Sequence, residues 1–292
     1  MTVGVAPLPA AVEAGWEEHW LPRPQGRLRY VVAGQGPPLV LCHGFIGSAE
    51  NFETWVPVLG EHRTLILPDL PGFGSSDPLA GRHLSRALAS EVRILMDHLG
   101  FSTYEAGGLC LGAAVALELL AAEPARVRRL LLHTPLLGPT MLRRPFRFQV
   151  AAVTAVGPLP IAAVSAVGRW RVLADLYRRL VVEGSADVDL RSAEVNFQNQ
   201  LRANPRAARE WLGEATTLEF TALLDGWTGP AEILAAADDR IVDIEALRRY
   251  CRLRPRLRLH LLAAAGHGWT REFMAAQQEL LQRWVTATPT GA

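Results

Sequence analysis

The sequence predicts an α/β fold, with a mostly parallel central sheet, helices on both faces and an inserted helical cap. Three observations predict it. Short apolar runs alternate with helical patterns across residues 28–133, the rhythm of parallel strands joined by crossover helices. That rhythm stops over residues 135–226, which have helical character and no clear strand. It then resumes with two strand-like runs and a closing helix. A helical excursion inside an otherwise continuous α/β unit reads as a cap over the C-terminal edge of the sheet, where open α/β sheets bind ligands.

Residues 28–33 and 38–42 form the first two predicted strands, each bounded by turn-forming glycines or prolines. The second ends in the loop His43-Gly44-Phe45-Ile46-Gly47-Ser48, and residues 51–59 are predicted helical. Thr-Leu-Ile-Leu-Pro at 64–68 is the next strand and enters the glycine-rich loop 69–77. A helix covers about 84–99 and is stopped by Gly100. Residues 104–108 form a strand, the Ala/Leu-rich 111–122 a helix, and 127–133 a strand. Within the cap, 169–182 and 205–212 are arginine-bearing amphipathic stretches. Residues 231–236 and 257–263 restore the strand pattern, and 272–285 make the closing helix. The expected division is core at 1–134, cap at 135–226 and core again at 227–292.

Composition removes several chemistries. All 30 basic residues are arginine and no lysine occurs. Schiff-base catalysis, lysine-anchored pyridoxal phosphate and a complete Walker A loop are thereby excluded, because each needs a primary amine. A net charge of +1 offers no nucleic-acid footprint. Cys42, Cys110 and Cys251 form neither a disulfide framework nor a metal knuckle. No metal and no organic cofactor is expected. The N-terminal residues lack the basic-then-apolar pattern of a secretory leader, so a cytoplasmic location is expected. The uncharged run 148–168 lies between Arg147 and Arg169 and is long enough to span a bilayer. Gly-Pro-Leu-Pro at 157–160 interrupts it, and it is predicted to line an apolar pocket instead of spanning a membrane. No oligomeric state is indicated.

The sharpest local signal is Gly108-Leu109-Cys110-Leu111-Gly112-Ala113, which follows a predicted strand and opens a predicted helix. This is the context of a nucleophile elbow, where small residues permit a tight, strained turn. Cys110 at its apex would face the positive end of a helix, a setting that favours a thiolate. The competing reading is a structural cysteine in a glycine-rich turn. A full GxGxxG is absent, so a dinucleotide is not indicated. Asp238 and Asp239 follow the 231–236 strand, and His267 follows the 257–263 strand. Nucleophile, acid and base therefore occur in the order Cys110, Asp239, His267, each beyond the C-terminal end of a parallel strand, where such ends converge.

Together the segments HGFIGS at 43–48, DLPGFGSSD at 69–77, GLCLGA at 108–113, AADDRIV at 236–242 and AGHGW at 265–269 resemble the α/β-hydrolase superfamily, in its helical-capped branch of esterases, lactonases and carbon–carbon bond hydrolases. The resemblance runs from about residue 28 to 285. It implies Cys110 as nucleophile, His267 as general base and Asp239, preferred over Asp238, as the orienting acid. It also implies the backbone amides of Phe45 and Leu111 as the oxyanion hole. His43, Asp69, Asp77 and Ser48 are expected to be structural. The departure is cysteine in place of the common serine, which excludes the aspartate-nucleophile relatives, haloalkane dehalogenases and epoxide hydrolases, by their usual mechanism. The expected function is hydrolysis of an ester, thioester or lactone of a largely apolar acyl-bearing small molecule through a thioester acyl-enzyme. An acyltransferase or cyclase using the same intermediate is the nearest alternative, and a non-catalytic binding protein on the same fold is the alternative of another class.

Overall fold

The computed structural model describes residues 15–155, 169–185 and 187–286. Its strands are β1 (Glu17–Arg23), β2 (Gly26–Ala33), β3 (Pro38–Cys42), β4 (Thr64–Pro68), β5 (Tyr104–Leu109), β6 (Val127–His133), β7 (Ala231–Asp238) and β8 (Leu257–Ala265). They form one sheet in the order β1-β2-β4-β3-β5-β6-β7-β8. From β4 to β8 all pairings are parallel, while β2 is antiparallel to both β1 and β4. The chain steps from β3 outward to β4, then crosses back to β5 on the other side of β3. That reversal opens a crevice at the C-terminal ends of β3 and β5. The register Cys42↔Gly108 sets the loop after β3 directly beside the turn after β5.

Alternation along each strand assigns the two cores. Val40 and Cys42 face the helices Ser85–His98 and Leu111–Ala122. Leu39 and Leu41 face the opposite layer, built from Val56, Leu59, Leu281 and Trp284. These four of the five β3 side chains are fully buried, as the period of two requires when both faces of a sheet are covered. β1 lies outside the sequence-predicted set. Of its seven residues only Leu21 is buried, because an edge strand has one neighbour and needs little apolar content.

The helical cap is inserted between β6 and β7. It comprises Arg144–Ala155, Arg171–Tyr177 with a π-helical continuation Arg178–Glu183, Leu190–Arg202, Pro205–Glu214 and Thr221–Gly226. The uncharged run 148–168 is described only to Ala155, and its remainder lies outside the described residues. Among the described residues no helix is long and apolar enough to cross a membrane. The excursion closes on itself, since Phe220 N–H donates to the Leu137 carbonyl at 2.8 Å.

Cap and core are joined by buried polar contacts. The Asn204 side chain caps the helix Pro205–Glu214, and the Asn204 backbone N–H donates to Gly72 O at 2.8 Å. Glu214 accepts from Ser85 N–H at 2.7 Å, and Trp211 Nε1–H donates to Ser85 Oγ at 3.0 Å. Trp211 is fully buried against Phe73 and His43. The loop 69–77 is braced by its acids: Asp69 accepts from Ala49 and Ser75 amides and pairs with Arg29, and Asp77 accepts from Arg27 N–H.

Candidate active site

β5 ends at Leu109, and Cys110 turns the chain into the helix Leu111–Ala122 with φ 51° and ψ −113°. A non-glycine residue there is strained by about 1–3 kcal/mol. Two glycines make the turn possible. A Cβ on Gly108 would overlap the backbone of Gly112 and Ala113, and one on Gly112 would strike the carbonyls of Cys42 and His43. The thiol is half-buried, whereas Cys42 and Cys251 are buried in the core.

Asp239 and His267 lie in the loops after β7 and β8. These loops are tied together by Gly266 N–H donating to Asp238 O at 3.1 Å. Asp239 is buried, with Oδ1 accepting from the Ile241 and Val242 amides at 2.7 and 2.8 Å. Its Oδ2 stands 2.8 Å from His267 Nδ1. A carboxylate accepting two amides is an acceptor on its other oxygen too, so Nδ1 carries the hydrogen and Nε2 faces away from the acid. That Nε2 is buried without a well-formed hydrogen bond, and the Cys110 thiol lies within its electrostatic reach. Burial disfavours the imidazolium, but the Asp239 carboxylate and the charge on Cys110 outweigh it and hold His267 well above the ordinary histidine range. Asp238 is exposed and does not meet the histidine.

The loop 43–45 lies against the Cys110 turn. A Cβ on Gly44 would sit 3.0 Å from Leu109 O and 3.5 Å from Cys110 Cβ. Leu111 is the first residue of its helix, where N–H groups have no intrahelical acceptor. Neither the Phe45 nor the Leu111 amide donates to a loop or cap acceptor among the described residues. His43 is fully buried: its Nε2 accepts from Leu70 N–H at 2.9 Å, so Nδ1 must donate to Gly44 O at 2.9 Å. The ring thus pins the loop in one tautomer. Ser48 is buried beside Asn51, whose side chain accepts its N–H at 2.9 Å.

Three neighbours of the site carry no clear sequence signal. Arg143 donates to Asp239 O at 2.8 Å. His133, at the end of β6, is buried beneath Gly268 and edge-on to Phe273. Glu183 comes from the cap and reaches the His267 loop. Each is a common residue type in an unremarkable local pattern, and only the fold brings it beside Asp239 and His267.

Burial pushes His43 down to about 4. Burial, reinforced by the charge on His267, pushes His133 down to about 3. Unfolded histidine titrates near 6.5, so the unfolded chain takes up these protons first. The resulting stabilisation is fully present above pH 6.5 and is lost as pH falls toward 4 and 3. Urea unfolding at pH 7 and pH 5 tests this. Wild type should lose about 2 kcal/mol more stability than His133→Gln across that interval. Equal losses would remove the buried neutral histidine from the account.

The chain matches the family model described as alpha/beta hydrolase fold over residues 37–268. A soluble epoxide hydrolase from a Corynebacterium species is 42% identical over 91 residues, covering 31% of this chain and 32% of that protein. That match therefore spans about a third of the relative's length. A 2-hydroxy-6-oxo-2,4-heptadienoate hydrolase from Pseudomonas putida is 26% identical over 242 residues, covering 80% of this chain and 83% of that protein. Among solved structures, an esterase from Thermogutta terrifontis superposes with a TM-score of 0.71 at 22% identity, covering 93% of this chain and 98% of that one. At that identity the likeness concerns the fold.

Proposed function

This chain belongs to the alpha/beta hydrolase family, and on that premise we propose that it hydrolyses an ester, thioester or lactone of a small, largely apolar acyl compound through Cys110, His267 and Asp239. The observation that carries the reading is the buried His267–Asp239 pair beside a half-buried thiol on a strained elbow. Names of similar proteins are compatible with small-molecule hydrolysis. The apolar character of the acyl group is argued from Phe45, Ile46, Phe146 and Val182, which are partly buried in the same cluster that Cys110 joins.

The steps follow from the proton's position. His267 Nε2 takes the Cys110 thiol proton, before or as the sulfur attacks the carbonyl carbon. A carbon–sulfur bond forms, and the carbonyl oxygen takes the negative charge between the Phe45 and Leu111 amides. The carbon–oxygen or carbon–sulfur bond to the leaving group breaks as Nε2 donates its proton to that group. Water then attacks the thioester while neutral Nε2 accepts its proton, and the carbon–sulfur bond breaks to release the acid as that proton passes back toward the Cys110 sulfur.

Intact-mass spectrometry of protein quenched seconds after mixing with a p-nitrophenyl ester or an acyl thioester tests the reading. An adduct of acyl mass on the Cys110 peptide is the expected result. Turnover with the acyl group trapped elsewhere, or no thiol modification under conditions of turnover, would refute it.

A further inference from the structure

One buried carboxylate near the site belongs to the cap. Glu183 ends the π-helical turn Arg178–Glu183 and is fully buried. A π turn holds an extra residue and re-aims the side chains that follow. Here Arg179 and Leu180 face solvent, Val182 joins the main apolar cluster, and Glu183 points inward. Gly184 closes the turn at φ 61°, and any side chain on it would strike the Arg240 guanidinium. Arg240 follows Asp239, so two consecutive cap residues touch the loops that carry the acid and the base.

Glu183 Oε2 accepts from the backbone N–H of His267 at 2.9 Å and of Trp269 at 3.4 Å. Gly266, at φ 93°, makes the space, since a Cβ there would overlap that oxygen. The contact continues along the loop. Asp189 N–H donates to Trp269 O at 3.0 Å, Arg271 N–H donates to Asp187 O at 3.1 Å, and Val188 bridges Thr270. Burial raises the Glu183 carboxyl above its ordinary range, opposed by the charge on His267 and by the two amides, and Asp239 and Arg178 are the other charged groups that face it.

We infer that Glu183 is a positioning residue: its two amide bonds fix the backbone of the His267 loop, so that docking of the cap sets where the imidazole stands relative to Cys110. The inference rests on the proposed roles of Cys110 and His267. Glu183 touches no reacting atom and acts through the histidine.

The test is the pH profile of Cys110 alkylation by iodoacetamide in the full chain, followed by peptide mass. Glu183→Ala loses both bonds and should slow alkylation about tenfold at pH 6, with the profile displaced to higher pH. Glu183→Gln keeps an acceptor oxygen at the same reach and should stay within about threefold of wild type. Glu183→Asp keeps the charge but is one methylene short; it should behave like the alanine variant, and it serves as the test if Glu183→Ala does not fold. A lowered melting temperature with a wild-type profile would overturn the inference, as would a glutamine variant as impaired as alanine. An unchanged profile in His267→Ala would overturn the reading of the base itself. A changed profile there with an unchanged one in Glu183→Ala and Glu183→Asp would overturn only the role of Glu183.

Discussion

Replacing Cys110 with alanine is expected to lower kcat/KM for p-nitrophenyl esters by about 10⁴-fold or more. The melting temperature should hardly move. Alanine retains the Cβ and so keeps the φ 51° strain, and the half-buried thiol contributes little packing. Cys110→Gly should be equally inactive yet more stable, because glycine adopts that backbone without a Cβ penalty. Cys110→Ser is the informative third variant. The Cys110 side chain is among the groups that raise His267, and a serine hydroxyl is a far weaker acid than a thiol. Serine would need the imidazole as a true general base and should be slow, with activity rising with pH as the imidazolium deprotonates. Steady-state rates of the three variants from pH 5 to 9 provide the check. Wild-type turnover by Cys110→Ala would eliminate the sulfur as nucleophile.

Asp239→Asn is the second change with a large expected effect. Its Oδ1 must still accept the Ile241 and Val242 amides, which leaves the amide NH₂ facing His267 Nδ1. Two donors cannot share that contact. The imidazole is then driven to the tautomer with its hydrogen on Nε2, which cannot accept a proton there. Loss of about 10⁴ in kcat is expected from the wrong tautomer alone. The Asp239 charge that helps to raise His267 is removed as well, which shifts the balance toward burial and lowers the histidine from its wild-type position. Alkylation of Cys110 near pH 6 should therefore slow in the variant. Asp238→Asn should be close to wild type, because that side chain is exposed and away from the ring. A large loss in Asp238→Asn with little in Asp239→Asn would transfer the acid to the neighbour.

The parallel core was legible because its strands are buried on both faces. The bounds of β3, β4 and β6 coincide with the predicted runs 38–42, 64–68 and 127–133, since each carries a continuous apolar run of at least three residues and ends where loop residues begin. β1 was not legible. Glu-Glu-His-Trp-Leu-Pro-Arg reads as a polar segment, and its place is decided by seven pairings to β2 that no local pattern announces. The helix Ile244–Arg252 was passed over although Asp243 caps it and Ile244, Leu247 and Cys251 fall on one buried face. At the site, Cys110, Asp239 and His267 could be proposed because each follows a strand and lies in a distinctive local motif. Glu183 could not, because its importance depends on a π turn and on the space beside Gly266, which exist only after the cap is docked.

The contact between Leu137 and Phe220 has a topological consequence. The chain leaves the sheet and returns to it at points joined by one hydrogen bond, so lengthening the excursion between them adds loop-closure entropy only slowly. Natural variation in cap size is therefore weakly penalised by the core. Its content is less free. Ala207, Trp211 and Ala215 are buried in the main apolar cluster, so a grafted replacement would have to supply a substitute for Trp211 over Phe73 and His43 or leave the loop before Phe45 without its roof. Exchange of caps between relatives is constrained by that helix and by the Glu183 contact to the His267 loop.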